Sequence, residues 1–142
     1  MNEIDKITSQ ILEIKNALLS KGKLTDWTPD KISSACMMLS VLKVSLGSYL
    51  SELEEEAEMI DASRQYEETK LYEEKRNEGL SAKDAEMLAR KEASENKLLA
   101  IKAKGSFKKI KILHSDTGDL VSVLQSRLSY LKSNIIEDVR NK

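Results

Sequence analysis

One stretch of the chain gathers residue types that can hold an anion. "GSFKKIKILHSDTGDL", residues 105–120, contains Lys108, Lys109 and Lys111 together with the only histidine and the only phenylalanine. Lys108 and Lys111 supply point charge, His114 an imidazole, and Ser115 and Thr117 hydroxyls that direct hydrogen bonds. That set suits a phosphate-bearing small molecule bound at a subunit junction. The same residues also fit a purely structural role. Phe107, His114, Val121, Leu128 and Ile135 recur every seven positions, and Ile110, Thr117, Leu124 and Leu131 recur between them. His114 and Thr117 then form a polar layer in an apolar seam, which in coiled coils fixes register or oligomer state. A solvent-exposed loop at these residues is a third possibility. The sequence alone leaves all three open.

Covalent and metal chemistry find fewer residues. One histidine and one cysteine, Cys36, make neither a histidine-based metal site nor a nucleophile with its base within one chain. The acidic run at 54–56 spreads its carboxylates around a helix, and no glycine-rich phosphate loop appears. Cys36 sits in "ISSACMMLSVL", where a thiol behaves as a small hydrophobe, and a lone cysteine builds no disulfide framework. The expectation is a protein that is not an enzyme, without cofactor or metal.

The elements that would position these groups are helices. Charged residues make up 33% and aromatics 4%, with five glycines and one proline, a mixture that favours long helices over sheets. Ile4, Ile7, Ile11, Ile14 and Leu18 mark helix one at 1–21, with Leu12 and Leu19 widening its stripe and Gly22 as its stop. Thr28 and Pro29 give the start of helix two, 29–78. Along it Ile32, Leu39, Leu46, Leu53 and Ile60 lie seven apart, a coiled-coil spacing. Gly47 lies inside that series, tolerated for close packing. Gly79 ends the run, and Ser81 with Asp84 resembles a capping box for helix three, 81–140. Its register survives Gly118, which favours a continuous helix there over a loop.

These elements predict one elongated helical domain over 1–142. Its fold is all-α and coiled-coil-like: a long antiparallel hairpin, with the short first helix making a three-helix bundle at one end. A tip at Gly79 places residue n opposite residue 158 − n, give or take several positions. The acids of "ELEEEAE" (52–58) then face the lysines at 102–111. Residues 1–71 carry 8 Lys/Arg against 13 Asp/Glu, and residues 72–142 carry 15 against 11, a split that suits two halves folding together. A two-helix arm leaves apolar residues uncovered, so a homo-oligomer is expected, with Ile32, Leu39, Leu46, Leu53, Ile60, Leu124, Leu128 and Leu131 as core or oligomer contacts. No signal peptide opens the chain and no apolar run approaches the ~20 residues of a membrane span, so a soluble cytoplasmic protein is expected.

The segments "YEEKRNEGLSAKDAEMLARKEASENKLLAIKAKG" and "VSVLQSRLSYLKSNI", within residues 66–136, resemble small helical accessory proteins of tailed bacteriophages. The resemblance implies a protein of the infected bacterial cytoplasm. Two functions follow from it. One is non-enzymatic counter-defence, in which a helical homo-oligomer binds a nucleotide-type signal or a host defence protein. The other is an accessory role in phage DNA replication or recombination, on single-stranded DNA or a DNA-bound partner. Balanced lysines and scarce aromatics favour the first.

Overall fold

The computed structural model describes residues 2–20 and 24–142, and every regular element among them is helical. In chain order these are α1 (Glu3–Ser20), a 3₁₀ turn (Leu24–Asp26), α2 (Pro29–Asn77), α3 (Ala82–Glu92) and α4 (Ser94–Arg140). The stop expected at Gly22 lies outside the described residues.

The helix ends follow their capping chemistry. Asn2 Oδ1 accepts from the amide of Asp5 at 2.8 Å, and Thr28 Oγ1 accepts from that of Lys31 at 3.3 Å. Both satisfy amides that a helix start leaves without a partner. Beyond α2, Gly79 adopts φ 93°, while Leu80 N–H bonds Lys75 O and Gly79 N–H bonds Arg76 O. This paired arrangement is a Schellman stop. Ser81 Oγ accepts from the amide of Asp84 at 3.2 Å and donates to its carboxylate at 2.8 Å. The shorter acid therefore closes the cap on the hydroxyl.

Helix three is not one piece. It breaks at Ala93, whose ψ of 4° leaves the helical region and whose N–H is shared between Ala89 O and Lys91 O. No glycine or proline marks the break, and the apolar pattern runs on across it. Residues 114–119, by contrast, lie within continuous α4 helix, Gly118 included.

Contacts divide the chain into two compact units, Met1–Tyr49 with Ile110–Lys142, and Leu50–Lys109. The first unit is a three-helix bundle. Its core joins Ile7 and Ile11 of α1, Ile32, Leu39, Leu42 and Leu46 of α2, and Leu124 of α4. Leu128 and Leu131 pack on that core half-buried, whereas Leu12 and Leu19 are exposed and add nothing to it. The second unit is an antiparallel hairpin of α2 against α3 and α4. Its buried apolar residues are Ala57, Ala85, Ala89, Ala93 and Ala100, with Leu53 and Ile60 only half-buried. Small side chains let helix backbones approach closely, and each buries little apolar area.

Helix α2 departs from one expectation. It contains a stretch of mean hydropathy 1.3 that is long and apolar enough to cross a membrane by length and composition, and only 28% of that stretch is buried.

Candidate functional site

The five residues read from the sequence as a ligand set lie on one helix but not on one face. Lys108, Lys111 and Ser115 are exposed, His114 is half-buried and Thr117 is fully buried. Nine residues separate Lys108 from Thr117, which turns the helix by about 180° and puts them on opposite sides. The Thr117 hydroxyl donates to Leu113 O at 2.7 Å, so its bond is made within its own helix. Thr117 thus sits as a polar member of the bundle core, out of reach of anything that contacts Ser115.

His114 packs against α2. A Cβ built on Gly47 would lie 3.1 Å from His114 Nε2, so the missing side chain of Gly47 is the space the imidazole occupies. One turn further along α4, Gly118 receives the Lys43 side chain, whose Cε and Nζ would be 3.0 Å from an added Cβ. Burial, and then the Lys43 ammonium, push the imidazole below its ordinary value of 6.5. Two glycines on facing helices therefore admit two nitrogen-bearing side chains.

The second unit holds a charged cleft of about 460 Å³. Asp61, Arg64 and Glu68 of α2 line it with Arg90 of α3 and Lys97 and Lys104 of α4, over a floor containing Ala93 and Ala100. Lys104 Nζ lies 2.8 Å from Asp61 Oδ2 and Arg64 Nε 3.0 Å from Asp61 Oδ1. Arg64 Nη1 reaches Glu68 at 3.1 Å, and Arg90 reaches Glu68 at 3.7 Å and Glu86 at 2.6 Å. Hydrogen bonds from Lys104 and then Arg64 hold the Asp61 carboxyl below the usual carboxylate value, against the opposing effect of desolvation. Nearby, Asn96 donates to Glu67, and Lys75 pairs with Glu92 at 3.3 Å.

These pairs correct the expected charge register. Lys104 meets Asp61 where the equal-rise estimate puts it opposite residue 54. Glu52, Glu54, Glu55, Glu56 and Glu58 are all exposed and join no ion pair among the described residues. Arg90 meets Glu68 at the expected register, whereas Lys104, beyond the break at Ala93, meets Asp61 seven residues, about two turns, away from it.

A third feature is apolar. In the first unit a groove of about 900 Å³ runs between α1 and α2, lined by residues including Ile14, Ala17, Met37, Met38, Val41 and Leu42. Met37, Met38 and Val41 are exposed along it, and Val44 extends the same side of α2. The seven-residue spacing of Ile32 to Leu46 marks the buried face of α2. The Met/Val stripe beside it was the signal for the second face. Likewise Arg90, Lys97 and Lys104 stand seven apart, as do Asp61 and Glu68, a pattern that foreshadows the cleft.

Helices and surfaces together define an all-α protein with two units, a three-helix bundle and an alanine-seamed antiparallel hairpin. No protein-family model, curated protein or solved structure matches the chain.

Proposed function

We propose that the protein is a non-enzymatic binding protein that works as a helical homo-oligomer, the α1–α2 face of one copy meeting that face of a second. One observation carries the reading: Met37, Met38, Val41 and Val44 are 67%, 58%, 62% and 75% exposed on one side of α2. Taking roughly 150–200 Å² for a fully exposed residue, they leave about 450 Å² uncovered, at the upper end of what a monomer usually shows. That is about half of the ~800 Å² each partner gives to a stable interface, and the groove lined by Ile14 and Ala17 extends it. Methionine side chains adapt their shape to a partner at low cost. On the phage resemblance, the assembly acts in the cytoplasm of an infected bacterium and counters defence by occupying a nucleotide-type signal or a defence protein. The DNA alternative draws less support, since the net charge of −1 offers no surplus of cations to displace counterions.

Light scattering at micromolar concentration tests the reading. Wild type is expected as a dimer or larger, and Val41→Asp as a folded monomer, because residue 41 adds nothing to the bundle core. A wild-type monomer would refute self-association. If that monomer instead floats with lipid vesicles, the apolar side of α2 is a membrane contact.

A further inference from the structure

The charged cleft of the second unit contains an imbalance that its ion pairs do not remove. Arg90 of α3 and Lys97 and Lys104 of α4 line the cleft seven residues apart, which along the unbroken helix from Lys97 to Lys104 is about 10.5 Å. The outer two have carboxylates across from them, Glu68 for Arg90 and Asp61 for Lys104. The middle one does not. Lys97 forms no ion pair among the described residues, and the α2 side chain that lies between Asp61 and Glu68 along the cleft is another cation, Arg64. Arg64 spends Nε on Asp61 and Nη1 on Glu68, which leaves Nη2 without a protein partner among the described residues.

Four cations and two carboxylates line the cleft, and Glu86 beside it pairs with Arg90 at 2.6 Å, which leaves a surplus of one positive charge, that of Lys97. Both carboxylates are already held by two cations each: Asp61 by Arg64 and Lys104, Glu68 by Arg64 and Arg90. They therefore brace the cations more than they oppose an incoming anion. The Arg64 side chain is 20% exposed, held in place by its two acids, and presents a planar donor edge. The cleft volume of about 460 Å³ falls within the range of small-molecule sites.

We propose that this cleft binds the diphosphate group of a small molecule, seated between Arg64 and Lys97 with Arg90 and Lys104 at either end. No aromatic side chain lines the cleft, so an attached nucleoside adds little and the phosphates are what is recognised. The proposal stands apart from self-association, since every lining residue belongs to the second unit.

Calorimetric titration of the full chain with pyrophosphate and with ADP at low ionic strength decides it. Both are expected to bind with similar affinity. Lys97→Ala should leave the melting temperature without ligand unchanged, because Lys97 is exposed and unpaired, yet weaken binding by roughly tenfold or more. Lys97→Glu should abolish binding, while Lys102→Ala, exposed elsewhere on α4, should match wild type. The dissociating variant Val41→Asp should bind as wild type does, which separates this test from the oligomer reading. No binding by wild type, or equal affinity in Lys97→Ala, would overturn the proposal and leave the cations as a clamp between helices.

Discussion

Three glycines lie inside long helices, and each asks a different energetic question when it is replaced by alanine. A mid-helix glycine costs about 1 kcal/mol relative to alanine, so substitution gains that amount wherever a Cβ fits. At Gly105 nothing lies within 4 Å of the added carbon. The full gain of about 1 kcal/mol should appear, raising the melting temperature by about 3 °C for a chain of this length. At Gly118 the carbon would meet Lys43 Cε and Nζ at 3.0 Å, but these end a flexible side chain that can swing aside. Most of the gain should survive. At Gly47 the neighbour is His114 Nε2 at 3.1 Å and Cδ2 at 3.5 Å, on a ring held between packed helices. For a ring packed between helices, leaving its rotamer costs about 1–1.5 kcal/mol, the upper part of the usual range, which cancels or reverses the gain. The expected order of stability is Gly105→Ala, then Gly118→Ala, then wild type level with or above Gly47→Ala. Denaturant melts at one fixed protein concentration measure it, since self-association shifts the midpoint with concentration. In a His114→Ala background, Gly47→Ala should recover its gain, giving a coupling of about 1 kcal/mol. If Gly47→Ala stabilises wild type as much as Gly105→Ala does, the imidazole does not rest on Gly47 and the reasoning fails.

His114 is the single histidine, so its titration can be followed as one imidazole resonance. Its midpoint should fall below 6.5, and Lys43→Met should raise it only partway, because burial is the larger cause. The folded state then holds the proton less tightly than the unfolded chain, so this contribution to stability is complete above pH 6.5 and is lost as pH falls through the lowered value. A midpoint at or above 6.5 would contradict the packing. In the second unit, Ala89 is 1% exposed on the alanine seam, and Ala89→Leu should destabilise by about 1–3 kcal/mol through overpacking. A neutral result in a denaturant melt would mean the helices do not approach closely there.

Much of the architecture was legible because helix signals are local. Thr28–Pro29, Gly79 and Ser81 mark ends whose hydrogen bonds involve residues within a turn or so, and each does what its chemistry implies. Ile32, Leu39 and Leu46 are fully buried because a seven-residue spacing keeps one side of α2 against its neighbours. The break at Ala93 was illegible, since alanine is a good helix former and nothing nearby interrupts the pattern. Charge register was legible only in outline. It depends on how many residues the turn and the break consume, and side chains as long as lysine and arginine reach several partners. The ligand set around His114 failed to assemble for a geometric reason. Residues adjacent in sequence on a helix diverge around it, whereas Arg64 of α2 and Arg90 and Lys97 from the returning helices converge on one cleft.

The two units solve the same packing problem with side chains of different size, and that difference determines what each surface offers. In the bundle, α2 packs isoleucines and leucines against helices on two sides, and these large residues account for its core. The remaining side of α2 has no structural need to be apolar, yet it carries Met37, Met38, Val41 and Val44. Mostly exposed there, they contribute little burial to the fold, and further burial would come only from something that covers them. In the hairpin the seam is alanine, which buries little area per residue, and the faces carry long charged side chains together with exposed apolar ones such as Met59, Met87 and Leu98. Arg64, Glu68, Arg90 and Lys104 span from helix to helix over that low floor, and their length is what opens a cleft above Ala93 and Ala100. The side of α2 that the large-residue core leaves uncovered is thus apolar, while the small-residue seam lies beneath a charged cleft.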